Sequence, residues 1–296
     1  MRGTHVGARW AIAAGSLVLM VGLTACGSEK SDDDKAGDKT GGDKSGQSAM
    51  SPLAALKLAS QQTDKKNSAK VEGTTKMGEQ NSQMSGDMDW ADGIRANMSI
   101  TQNGGAIASS PIAGKPMDAK YTPDAMFLNM GDEFAAQAGS GKHWVKYDYD
   151  VLAQKAGPSG AFLKDQMQNN NPSRSVELLL ATGKVKSVGS EDVKGVKATH
   201  YTGTVKVSEI AKMQSKELSQ SDLDALQKQL ETSGMDTETI DLWVDGENLL
   251  VKKREQAQSN SGAYDSTVFY SDYGTSVTVT EPSSSDTVDF QDMLQQ

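Results

Sequence analysis

One cysteine, Cys26, stands among 296 residues, so no internal disulfide can form. An exported domain of this chain must therefore be held by its own core. Histidine is nearly as scarce. Of three, His5 lies at the extreme start, His143 sits beside Trp144, and His200 sits beside Tyr201. No Ser-His-Asp phrase, paired metal-ligand spacing or phosphate loop is present, which argues against an enzyme and against a resident metal or cofactor. Each of the two later histidines reads as a surface or partly buried strand residue. Aromatics make up only 5% of the chain. Positive charge is in deficit, with a formal net charge of −9. That balance disfavours nucleic acid and adhesion to anionic lipid heads. The apolar run from Trp10 to Gly22, at ~13 residues, falls short of the ~20 that a bilayer span requires.

That short run is informative for another reason. Arg2 and Arg9 precede it, small residues follow it, and the sequence then turns abruptly polar. This is the pattern of a secretory signal peptide, residues 1–25. The junction reads Leu23-Thr24-Ala25-Cys26, which resembles the bacterial lipobox. The resemblance implies cleavage between Ala25 and Cys26, and a diacylglyceryl group on the Cys26 sulfur. Cys26 would then be the membrane anchor, on the outer face of the cytoplasmic membrane. The alternative is a small buried hydrophobe, but a cysteine between Ala25 and Gly27 has no core to join. One acyl chain holds weakly and two hold firmly. Taking Arg2 and Arg9 from −9 leaves −11 on the mature chain, so the anchor rather than a basic patch must supply membrane binding.

Residues 26–50 are Gly, Ser, Asp and Lys without apolar periodicity. They cannot bury enough surface to offset chain entropy and read as a flexible tether with an rms span of about 25–30 Å. The Asp32-Asp33-Asp34 triplet reads as solvated linker rather than a cation site. From residue 51 to 296 no further linker appears, and the spacing predicts one domain.

Ser51-Pro52 predicts a helix start, with Leu53, Leu56 and Ala59 on one face and an end near Asp64. From Ala69 the period becomes two. Ala69, Val71, Gly73, Thr75 and Met77 share one face, against Lys70, Glu72 and Lys76. Met84, Gly86, Met88 and Trp90 repeat the pattern. Asp92-Gly93 signals a hairpin, and Ile94, Ala96, Met98 and Ile100 return from it. Further strands are expected near 117–122, 125–130 and 143–147. Helices are expected over 150–168, broken at Gly157-Pro158, and from Asn171-Pro172 to Gly183. Strands resume at 185–188 and 196–207, with Glu191–Gly195 as a turn. A helical region covers 208–232. Strands then follow at 239–244, 249–256, 264–273 and 276–280, with a short helical turn around 290–294. The class is α+β, with about eleven antiparallel strands.

Several phrases carry a family resemblance. They are Ala69-Lys70-Val71-Glu72-Gly73-Thr74-Thr75, Met88-Asp89-Trp90, Leu242-Trp243-Val244-Asp245 leading through its turn to Leu249, and Ser271-Asp272-Tyr273-Gly274. In this order they resemble the actinobacterial LolA-like lipoproteins of the LppX and LprG type, over about residues 52–282. The resemblance implies a single strongly curved antiparallel sheet, a half-open barrel, with helices covering the concave face. It also implies a cavity that holds acylated lipid for transport or presentation.

The residues themselves leave two coverings for the apolar face: a solid core, or a hollow filled by lipid. Methionine is abundant there and adapts to varied apolar shapes. Small residues such as Gly73, Gly86 and Ala96 would leave room. Val71, Met77, Met84, Met88, Met98, Ile100, Met126 and Met130 are the candidate ligand-cavity residues. In the solid-core alternative the same residues fill gaps, and the domain is a sensory or protein-interaction module with an envelope protein as partner. Asp87, Asp89 and Asp92 have the wrong spacing for a calcium loop, and the leucines at 223, 226 and 230 read as core-facing.

Overall fold

The computed structural model describes residues 50–168, 171–207, 209–210, 220–232 and 234–293. The expected signal peptide, Ala25, Cys26, the expected tether up to residue 49, residues 208 and 211–219 of the expected helical region, and Leu294 lie outside the described residues.

Helix α1 (Pro52–Asp64) begins as its sequence dictates: the Ser51 hydroxyl accepts a hydrogen bond from Ala54 N at 3.3 Å, with proline at the first turn. Strands β1 (Ser68–Met77), β2 (Gln80–Asp89) and β3 (Arg95–Asn103) form a meander in strict register, with Val71 opposite Gly86 and Gly86 opposite Met98. At Gly86 (φ 159°) a Cβ would stand 2.0 Å from the Asn97 carbonyl, so the backbones approach as only glycine permits. Strands β4 (Pro116–Tyr121), β5 (Ala125–Asn129) and β6 (Trp144–Asp148) follow, with the short helix α2 (Gly131–Gln137) between β5 and β6.

Helix α3 (Tyr149–Gln168) runs through Gly157-Pro158 without the expected break. An internal proline removes one backbone donor and strains the turn before it, which kinks a helix without always ending it. Helix α4 (Ser173–Thr182) starts with Asn171 accepting from Ser173 N and ends on Gly183 at φ 64°, as predicted. Strand β7 (Lys186–Val193) is longer than expected. The residues read as a turn, 191–195, are mostly strand, and Lys194-Gly195 alone makes the reversal into β8 (Val196–Lys206). Helix α5 (Gln220–Thr232) precedes β9 (Thr237–Asp245), β10 (Leu250–Ser259) and β11 (Gly262–Ser271).

All strands join one curved, unclosed sheet in the order β12-β6-β5-β4-β3-β2-β1-β11-β10-β9-β8-β7. The twelfth strand, β12 (Thr287–Asp289), exceeds the expected count and is the one parallel neighbour, lying beside β6 ahead of the short helix α6 (Phe290–Met293). The expected strand at 276–280 does not form. This stretch is an extended strap crossing the outer side of the sheet. Its carbonyls accept from side chains: Thr275 from Ser68 Oγ (2.6 Å), Thr278 from Asn97 Nδ2 (3.0 Å) and Thr280 from Lys120 Nζ (2.6 Å). The alternation of valines imitates a strand, but the partners are side chains of β1, β3 and β4 rather than a ladder.

Helix α1 packs on α4 and β10, α4 on β8 and β9, and α3 on β6 and α5. The core lies between these helices and the concave face. Leu56, Val145, Val176, Leu179, Ile240 and Leu242 are fully buried in it. Burying each such side chain contributes about 1.5–3 kcal/mol. None of the described helices is long and apolar enough to cross a membrane.

Candidate ligand-binding face

Strand alternation puts every second residue of β1–β6 on the concave face. Val71, Met88, Met98, Ile100, Met126 and Met130 meet there in one apolar cluster, each no more than 8% exposed. Met84 packs half-buried against the cluster, where Gly73 leaves room for its terminal methyl. Met77, the eighth candidate, is not brought into the cluster. It ends β1 beside the Gly78 turn and stays half-buried, because the face runs out there.

The same face changes character across β9–β11. Register puts Lys253 and Glu255 of β10 inward with Leu242 and Ile240, and Glu238 beside Ala257. The Lys253 ammonium donates to Glu255 Oε1 (3.1 Å) and Ser175 Oγ (3.2 Å), and Ser175 on α4 donates to Glu255 Oε1 at 2.6 Å. Burial alone would lower the Lys253 pKa, but the neighbouring Glu255 carboxylate more than reverses this, and the lysine stays charged. Burial first, and then the negative charge of Glu255, push Glu238 up to about 8, so at neutral pH it is largely a protonated donor. Burial also raises the Tyr264 and Tyr270 phenols, the latter to about 12. The ion pair keeps 13% and 14% of its side-chain surface, so it is enclosed without being dry-packed.

Sequence reading missed this cluster. Lys252-Lys253-Arg254-Glu255 looks like a solvated charge run, and an irregularity between Leu250 and Lys252 resets the alternation. The available signal was the pairing of β10 with β9, whose inward Leu242 and Ile240 fix the inward positions opposite.

A third feature lies in the methionine half. The hydroxyls of Tyr147 and Tyr149 and the Gln102 side-chain carbonyl are buried and have no hydrogen-bond partner among the described residues. Tyr147 closes β6 on the concave face and Tyr149 opens α3; burial raises both phenols, with the nearby Tyr121 and Asp124 adding to the shift at Tyr149. Leaving such a group unpaired in a solid core costs about 1–3 kcal/mol.

No model of a known protein family matches the chain. Among curated proteins, it is 48% identical over 253 residues to an uncharacterized 31.2 kDa protein from the rplA-rplJ intergenic region of Streptomyces griseus, covering 84% of this chain and 82% of that one. It is 34% identical over 287 residues to "Putative lipoprotein SCO4650" of Streptomyces coelicolor, covering 92% and 91%. The chain belongs to this actinobacterial lipoprotein family. Two solved structures align more distantly. LprF from Mycobacterium bovis aligns at TM-score 0.47 and 15% identity, over 78% of this chain and 96% of that one. LppX from Mycobacterium tuberculosis aligns at TM-score 0.45 and 18% identity, over 78% and 100%.

The remaining histidines of this lipoprotein sit outside the concave face. His200 of β8 stacks on Trp243 at 4.3 Å and bonds Asp241 at 2.8 Å, while Glu191 accepts from the Trp243 indole. Lys252 lies 3.7 Å above the Trp243 ring, and burial there lowers its pKa. Trp243, Val193, Ala198 and Val251 form a small separate cluster. His143 precedes β6 and bonds Asp286 of the strap at 2.7 Å. That bond raises the imidazole pKa and holds the Asp286 carboxyl below its usual range. Both sites are closed networks of partners and read as structural. Among the described residues no group of three or more His, Cys, Asp or Glu is arranged to hold a metal.

Proposed function

We propose that this lipoprotein binds a lipid or lipid-like amphiphile against its concave face, for transport or presentation at the cell envelope, without catalysis. Cys26 would moor it to the outer face of the cytoplasmic membrane, with residues 26–50 as the tether. The observation that carries the reading is the pairing of pliable apolar wall with buried, unpartnered polar atoms. The methionines of β2–β5 suit hydrocarbon of varied shape. Acceptors on a ligand, such as ester oxygens, would meet the Tyr147 and Tyr149 hydroxyls and recover what the empty protein forgoes. The enclosed Lys253–Glu255 pair and protonated Glu238 would meet a more polar portion.

Native mass spectrometry of gently purified protein tests this directly. A bound lipid mass, or uptake of a fluorescent fatty acid by the stripped protein, is the expected result. A ligand-free protein that takes up nothing would sink the carrier reading.

A second reading, a packed protein-interaction module, is favoured by the low exposure of six of the eight candidate residues. It expects a stable envelope partner after crosslinking and no lipid mass.

A further inference from the structure

Helix α6 turns back over the edge of the sheet and meets the concave face at β6. The Phe290 ring lies tilted on Tyr147, centroids 4.9 Å apart, and Val288, Phe290 and Met293 pack against the methionine cluster. Under this cover Val145 and Tyr147 are 0% exposed. The cover itself is not so placed: no described residue from Ser284 to Met293 is buried. A segment with few buried apolar contacts of its own belongs to the part of a fold that opens most readily. Here such a segment shields two residues of the core.

The attachments of this segment are short. β12 offers three residues to β6, in a parallel pairing that is weaker per residue than an antiparallel one. Beside it, Asp286 Oδ1 accepts from the His143 backbone N–H at 2.9 Å and bonds the His143 ring at 2.7 Å, and Lys142 Nζ donates to the Thr287 carbonyl at 2.8 Å. The His143 and Asp286 side chains keep 36% and 38% of their surface, so water competes for their bond. The chain just upstream is pinned on the outer side of the sheet, where the Thr280 carbonyl accepts from Lys120. Between this root and the tip, Ser283, Ser284 and Ser285 are exposed, three small residues suited to a hinge. The floor adds a second reason to open. While the cover is down, the Tyr147 hydroxyl has no partner among the described residues. Lifting it exposes apolar surface but lets that unmet donor reach water or a ligand.

We propose that residues 286–293 form a lid that swings from Ser283–Ser285 and admits an acyl chain to the methionine wall. The incoming hydrocarbon takes the place that Phe290 and Met293 hold, exchanging one apolar contact for another. In the closed state the protein's own C-terminal side chains occupy that place. This is a regulation of the concave site and rests on the lipid reading.

The test locks the lid. The full chain with Cys26→Ser, which removes its one native thiol, carries Lys146→Cys with Asp289→Cys. These two positions are register partners on the outer side of β6 and β12. Neighbouring strands lie ~4.8 Å apart, within the reach of a disulfide. Uptake of pyrene-labelled hexadecanoate by the stripped protein is followed by stopped-flow fluorescence, oxidised and after dithiothreitol. The oxidised protein should take up the probe about tenfold more slowly or worse, and reduction should restore the rate. Phe290→Ala, which thins the lid without locking it, should speed uptake by about threefold or more. Equal uptake by the oxidised and reduced forms overturns the lid and leaves the lipid reading standing, with entry elsewhere. An unchanged rate in Phe290→Ala also overturns it. Uptake by no form, the parent chain included, overturns the lipid reading and the lid with it.

Discussion

The two ends of the sheet solve the same problem differently. At the β2–β6 end the concave face is methionine, isoleucine and tyrosine, and the edge strand β6 is covered by β12. At the β7–β11 end the concave face carries Lys253, Glu255 and Glu238, and the edge strand β7 is exposed on both sides for seven of its eight residues. Bare edges invite pairing with other chains, and β7 answers with a register irregularity between Ser187 and Gly189 and with charged Lys186, Glu191 and Asp192. The contrast teaches that one curved sheet can be apolar and sealed at one end, ionisable and open at the other. An amphiphile lying along it would find a matching gradient.

The largest expected effect comes from breaking the ionisable end. Lys253→Met leaves Glu255 enclosed without its cation and should cost about 3–5 kcal/mol by urea unfolding. Pairing it with Glu255→Leu should recover most of that loss, because the desolvation penalty disappears with the charges. A double variant as unstable as the single one would show that the pair is not the organising contact.

Next in size is a cavity in the methionine end. Leu128→Ala, at a position 1% exposed, should cost about 2–5 kcal/mol. Met98→Leu with Met126→Leu preserves volume and should cost under about 1.5 kcal/mol. If the wall serves a guest, that double change should narrow the range of lipids recovered by mass spectrometry while leaving the fold intact. An unchanged lipid profile would favour the packed module.

Titration sharpens the contrast further. Glu238 is raised to about 8 in the folded protein, far above an ordinary carboxyl. Its stabilising effect is complete below the unfolded value near 4.5 and is lost as pH rises toward 8. Stability should decline across that window, and Glu238→Gln should flatten the decline. A flat wild-type profile would mean that Glu238 ionises freely.

How much of this contrast was readable beforehand depends on where the partners lie. The meander β1–β3 was legible because Val71, Met84, Met88, Met98 and Ile100 alternate strictly and their turns carry glycine. Helix α1 was legible in Ser51-Pro52, and the end of α4 in Gly183. The inward charges were not, since Lys253 and Glu255 are explained only by Ser175, about eighty residues away in the chain. Residues 276–280 misled for a related reason. Their partners Asn97 and Lys120 are some 180 and 160 residues distant, and side chains replace the ladder. Trp90 looked like one more apolar position in an alternating strand; nothing local announces that its N–H lacks an acceptor among the described residues.

The smallest expected effect concerns the seal on the methionine end. His143 is raised above its ordinary 6.5, so its contribution holds below that value and fades as pH rises through the raised one. Asp286 is lowered below 3.8, so its contribution holds above that value and fades as pH falls through the lowered one. The latch is firm between these limits. His143→Gln should speed amide exchange at Thr287–Asp289 at about pH 5–6, where both partners are charged, and barely move global stability. Unaltered exchange would place the hold on β12 in its ladder alone.

The strap has a consequence for how the chain is made. Strand β1 closes on β11, with Val71 opposite Tyr270, and β6 waits for residues 287–289. Neither seam can form until nearly the whole polypeptide has emerged, and contacts so distant in sequence form slowly. The molecule thus stays unfinished during synthesis, a useful delay for any chain that must be threaded through a narrow channel before it sets.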